Sequence, residues 1–218
     1  MKKLVTVLIA IIVVGLLIFS GCNNGGTFVE KTYSTKDLVI NNVILDVSDR
    51  EIEVTTSSDN QIHINYFESE KEYYDISLTD GTLKMTIVFD KKWTDFIGTK
   101  AEKEYRKIKL EIPNALLTDL TIKTTNEKIE VCELEVKESI LLDSNGGNIE
   151  LDKVFAGKTI NLTVKDADII GSVVGGWDDY TINVSIKKGE SNLANKDGGE
   201  KLLSVDCNNR NIRIDLIK

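Results

Sequence analysis

Few side chains in this 218-residue chain are placed to do chemistry: there is one histidine, three cysteines, and a surplus of carboxylates, 35 Asp and Glu against 27 Lys and Arg. A metal site needs His, Cys or carboxylates clustered at ligand spacing. His63 stands alone between Ile62 and Ile64, so strand alternation turns its ring outward, and no Cys-x-x-Cys occurs. The expectation is no metal and no cofactor. Cys132 and Cys207 lie four repeats apart, or ~19 Å along a stack of strands. A disulfide requires Cα atoms within about 7 Å, so both are expected as free thiols. Sugar-cleaving enzymes on stacked strands use paired carboxylates on an exposed face. Asp143 and Asp206 share one outward column but stand three repeats apart if repeats stack in chain order. Asp166 and Asp168 fall in a turn, where Asp is favoured for backbone reasons alone. These residues give no convergent catalytic set, and a polysaccharide-active lyase or hydrolase is the alternative to a non-enzymatic protein.

Binding chemistry has better candidates. In Gly175-Gly176-Trp177-Asp178-Asp179-Tyr180 two aromatic residues flank two acids, and an aromatic beside acids at a loop tip can stack on a sugar ring or anchor a protein partner. The same stretch can instead be a corner filled by its own tryptophan. A second candidate is the charged insertion 90–106, which carries Trp93 and Phe96 and has no period of two. It reads as a functional loop, a short helix, or a solvated insertion packed by its own aromatics.

These residues are positioned by a repeat. The pattern apolar-x-apolar-x-small or apolar, then a polar turn, then Ile-x-apolar, begins at Leu120 and returns at Ile140, Ile160, Ile182 and Leu203. A constant period near twenty residues marks stacked coils. A second apolar column runs through Ile122, Leu142, Leu162, Val184 and Val205, and a third inward one through Thr124, Ser144, Val164, Ile186 and Cys207. The intervening positions are polar except at Leu141, as expected of half-buried strands. After each turn, Ile129, Ile149, Ile169 and Ile212 line up in a second strand. Leu134, Val154 and Val174 hint at a third. The fold read from this is all-β, a single-stranded β-solenoid of about 20-residue coils with three short strands per coil. Asn, Gly and Asp at the corners accept positive φ or bond their own backbone. An antiparallel sandwich also has regularly spaced strands but does not require matched columns. Residues 37–218 are assigned to the repeat domain, its early segments read as degenerate coils or a cap.

The N-terminus reads as an address. Met1-Lys2-Lys3 and the apolar run 4–19 make a basic and a hydrophobic region short for a span of ~20 residues. Phe19-Ser20-Gly21-Cys22 resembles the bacterial lipobox, with Phe19 where leucine is usual. That resemblance implies a signal peptide over 1–21, a diacylated Cys22 at the mature N-terminus, and stable anchoring by two acyl chains. Residues 22–36, with Gly25-Gly26, follow as a tether. The expected place is the extracytoplasmic face of the cell membrane; the Lys-, Ile- and Asn-rich composition hints at a Gram-positive source. Losing Lys2 and Lys3 takes the net charge from −8 to −10. So acidic a chain repels phosphate, which excludes nucleic acid as a partner.

Lys107-Ile108-Lys109-Leu110-Glu111-Ile112-Pro113, followed by Leu120-Thr121-Ile122-Lys123-Thr124-Thr125-Asn126 and Ile129-Glu130-Val131, is similar to a bacterial β-strand-repeat family of unknown function, the putative-adhesin domain. In that family an Ile-Pro strand end precedes coils of the form L-x-I-x-T-x-x-G-x-I-x-V. The likeness covers roughly residues 40 to 216 and departs at Asn126-Glu127, where glycine is usual. It implies an extracytoplasmic, often membrane-tethered β-solenoid linked to envelope biology, and the function expected is non-enzymatic, either adhesin-like binding or envelope-stress sensing, with a cell-envelope protein or glycan as partner.

Overall fold

The computed structural model describes residues 27–36, 38–90 and 100–218. Strands are numbered along the chain. One sheet holds β1 (Val29–Ser34), β3 (Glu51–Thr56), β4 (His63–Glu68), β7 (Lys107–Ile112), β9 (Ile129–Cys132), β12 (Ile149–Ala156), β14 (Ile169–Val174) and β17 (Ile212–Ile217), with the two-residue β10 (Glu135–Val136) paired to the end of β12. The second holds β2 (Asn42–Asp46), β5 (Glu72–Thr79), β6 (Thr82–Phe89), β8 (Asp119–Thr124), β11 (Ser139–Ser144), β13 (Thr159–Val164), β15 (Tyr180–Ile186) and β16 (Lys201–Cys207). The inward residues of both sheets share one core. The repeats that begin at Leu120, Ile140, Ile160 and Leu203 each give a strand to the second sheet, turn a corner, and give a strand to the first, whereas β15 is followed by the segment 187–200 and then by β16 of the same sheet.

The apolar columns become files of side chains on the strand ladders. Leu120, Ile140 and Ile160 are register partners, as are Ile129, Ile149 and Ile169. The files also run into the early segments, where Val43 pairs with Leu120 and Leu83, and Ile52 with Ile129 and Ile108. All of these are buried to within 1 %, a burial worth roughly 1.5–3 kcal/mol for each such side chain.

Four expectations are corrected. The architecture is two mixed sheets, and most repeats supply two strands rather than three, β10 being a short remnant of the third. The third inward residue beside Val154 is Val173 and not Val174. Lys153, at φ 50, bulges β12 and slips the register by one, which places that residue on the opposite face. The strands are also not stacked in chain order. β16 pairs with β13 and β15 lies beyond it at the sheet edge, so Leu203, not Ile182, is the neighbour of Ile160. At the other end β2 is enclosed between β6 and β8, and β3 between β7 and β9. Finally, Val29–Ser34 of the expected tether forms edge strand β1, antiparallel to β4.

Among the described residues, antiparallel strand pairs lie at this N-terminal end, where β1, β4 and β5 close the stack, and a single antiparallel bridge joins Ile182 to Lys196 at the other. The β5–β6 hairpin turns at Asp80 and Gly81, with φ 49 and 73, the two positive values that a tight hairpin requires. The opposite end is covered by residues 187–200. Leu193 is buried there, and the Asn192 amide donates to the Ile214 carbonyl (3.0 Å) and accepts from the Ile214 N–H (2.9 Å). One side chain thus does the work of a missing strand on β17. The Asn195 side chain does the same for the Val184 N–H of β15, at 2.6 Å.

Candidate binding surface at the Trp177 corner

The Gly175–Tyr180 stretch lies where the chain leaves β14 for β15. Its core is a 3₁₀ turn over Trp177–Asp179, held by the Asp179 carboxylate, which accepts from the Gly176 N–H at 2.7 Å. Gly175 sits at φ 139, and a Cβ there would meet the Tyr180 ring at 2.6 Å, so only glycine lets the corner close over that ring. Tyr180 is fully buried and donates its hydroxyl to the Val174 carbonyl at 2.7 Å. Burial, with the Asp179 charge adding to it, pushes its phenol up to about 12. Tyr180 is therefore a core anchor and not part of the expected partner surface, since its ring follows the inward face of β15.

Trp177 stands out from this base, 45 % exposed. Lys196 lies over its ring at 6.0 Å and reaches the Asp178 carboxylate at 3.7 Å. The same ammonium donates to the Tyr180 carbonyl at 3.2 Å. Trp177, Asp178 and Asp179 line an open cleft of about 480 Å³ together with Lys218. Lys196 and Lys218 escape a sequence reading because they lie outside the repeated columns, in the closing segment and at the last residue.

Cys22 and Trp93 lie outside the described residues. The insertion's far end, however, is anchored. Residues Lys103–Arg106 form a 3₁₀ turn, and Tyr105 stacks on Phe28 with centroids 5.0 Å apart and meets Phe67 edge-on at 5.5 Å. Arg106 pairs with Glu127, and Lys100 with Asp49 at 3.0 Å.

The other chemical candidates are distributed as follows. His63 is half-buried, with Ser34 Oγ 2.8 Å from one ring nitrogen and Asp59 3.0 Å from the other. Cys132 and Cys207 are free. Cys207 donates its thiol to the Ala167 carbonyl at 3.5 Å, and burial raises both thiols above their usual range. Asp166 accepts from the Asn209 amide and Asp168 from the Asn211 N–H (2.8 Å), so both serve the corners. Because β16 lies next to β13, only Thr163 separates Asp206 from Asp143. That places the two acids two strands apart, about 9.6 Å, rather than three. Among the described residues no group of three His, Cys, Asp or Glu could hold a metal ion, and no helix is long and apolar enough to cross a membrane.

A model of the Toastrack DUF4097 family matches residues 40–215, nearly the whole described repeat. The chain belongs to this family. No curated protein matches it. Among solved structures, it is similar to a putative cell adhesion protein from Clostridium sporogenes at 11 % identity, with a TM-score of 0.56 over 93 % of this chain and 98 % of that one. Putative adhesins from Bacteroides fragilis and Parabacteroides merdae align at 11 % and 12 % identity, with TM-scores of 0.38 and 0.41. They cover 85 % and 86 % of this chain and 97 % and 92 % of theirs. At such identity the Clostridium structure speaks for the fold.

Proposed function

We propose that this protein is a non-enzymatic, adhesin-like binding module on the extracytoplasmic face of the cell membrane, anchored by acyl chains on Cys22 and engaging a cell-envelope partner. The observation that carries the reading is the Trp177 corner. A large ring stands in solvent on a base fixed by buried Tyr180, with an acid and an ammonium placed around it, and such rigid exposed aromatics dominate binding surfaces. The fold shared with the putative cell adhesion protein from Clostridium sporogenes is in keeping with it. The lipobox-like Gly21-Cys22 supplies the anchor.

Three measurements test this. Cys22→Ala should move the protein from the membrane to the soluble fraction once residues 1–21 are cleaved, and full membrane retention of the cleaved variant contradicts the anchor. Trp177→Ala should abolish co-purification of the envelope partner while leaving the melting temperature unchanged. If Asp143→Ala with Asp206→Ala instead removes a polysaccharide-cleaving activity, the protein is an enzyme and the binding-only reading falls.

A further inference from the structure

We infer that the Trp177 corner is one end of a groove that binds an uncharged oligosaccharide chain. This deepens the surface-binding reading and rests on it. The cleft under Trp177 adjoins a second open cleft of about 410 Å³, the two meeting at Val174. The second is floored by Phe155 and Leu134 and walled by Asn114, Glu135 and the Glu133–Lys153 pair. Each is of the size that recognises a small organic ligand. Together they run from one aromatic ring to another across a corner of rigid strands.

Three features select the occupant. First, the aromatic surface is split into separate rings, Trp177 at one end and Phe155 at the other, with Lys201 4.4 Å from the Phe155 centroid and 5.5 Å from that of Tyr180. Spaced rings suit the apolar C–H faces of successive pyranoses. A protein partner would want one continuous apolar centre within roughly 800 Å² per side. Second, acids and ammoniums are interleaved along the groove: Lys153 pairs with Glu133 at 2.9 Å and Lys196 with Asp178 at 3.7 Å, and Glu135, Asp179 and Lys218 complete the charged lining. The lining therefore offers both hydrogen-bond donors and acceptors to hydroxyl groups, while the chain's net charge of −8 opposes a polyanionic glycan. Third, both clefts are open to solvent rather than enclosed, which admits the middle of a chain as readily as its end.

The test uses the full chain in detergent micelles and saturation-transfer NMR. The probes are uncharged tetrasaccharides (cello-, chito-, manno- and maltotetraose), with tetragalacturonate as the charged comparison. At least one uncharged probe should bind and tetragalacturonate should not. Trp177→Ala and Phe155→Ala should each weaken binding about tenfold, the loss of one stacking contact, and Trp177→Phe should restore most of it. Phe155 is half-buried, so if its variant melts early, the exposed Trp177→Ala decides. Binding of none of the uncharged probes overturns the inference, as does binding that a folded Trp177→Ala leaves intact or that tetragalacturonate matches. If the protein captures an envelope protein through Trp177 yet binds no sugar, the glycan inference falls and the surface-binding reading stands. If sugar binds but Cys22→Ala stays on the membrane, the groove stands and the anchor falls.

Discussion

Arg50 is the largest of the fully buried side chains described. Its Nε donates to the Tyr74 hydroxyl at 2.7 Å, one terminal nitrogen pairs with Glu72, and the other donates to the Asp49 carbonyl at 3.1 Å. The contact ties the corner after β2 to edge strand β5. Arg50→Ala removes the guanidinium that the buried Glu72 carboxylate and the Tyr74 hydroxyl face, and we expect a loss of about 3 kcal/mol in chemical denaturation. Beside it, burial would raise the Asp49 carboxyl, but hydrogen bonds from Asn126 and Lys100 and the charges of Lys100 and Arg106 outweigh it and hold the group below its usual range. Its contribution is therefore complete above the ordinary aspartate range and disappears as pH falls through the lowered folded value. Asp49→Asn, which tolerates the φ of 54 found there, should flatten the acid limb of a melting-temperature profile. None of this was legible beforehand. Ser48-Asp49 reads only as a break between two strand-like runs, and nothing local says that β5 will close over Arg50.

At the scale of elements, the columns were legible because strand alternation is a local property. What they did not disclose is how corners and edges are satisfied. The third inward position was counted as core, yet three of its members are donors to corner carbonyls. Thr124 donates to Arg50 O (2.7 Å), Ser144 to Glu127 O (3.3 Å) and Cys207 to Ala167 O. Polar side chains run from corner to corner as well: Asn148 accepts from the Asp168 N–H and Asp168 from the Asn211 N–H. The 187–200 segment closes the last edge in the same way, by amide side chains imitating backbone. Asn192→Ala removes both bonds to Ile214 and should cost about 1–2 kcal/mol. Amide hydrogen exchange at Ile214 and its neighbours should accelerate, while β8, β11 and β13 exchange as before.

At the scale of the whole molecule, eight strands at the usual spacing make the second sheet about 34 Å across, longer than five coils in chain order would give. Its order has a testable consequence. With β16 between β13 and β15, deleting residues 187–218 removes the only strand partner of β15 among the described residues. Limited proteolysis should then cut within 177–186, whereas strands stacked in chain order would leave β15 protected on β13. The amino-acid sequence alone determined the all-β class, the corner positions and most of the inward-facing residues from Leu120 onward, because alternation and a twenty-residue period are written residue by residue. Only the tertiary structure decided the order of the files, the burial of Tyr180 beneath exposed Trp177, and the approach of Asp206 to Asp143. One apolar strand edge pairs about as well with the next repeat as with the one after it. The choice between them is made by caps, corners and closing segments that meet only when the chain has folded.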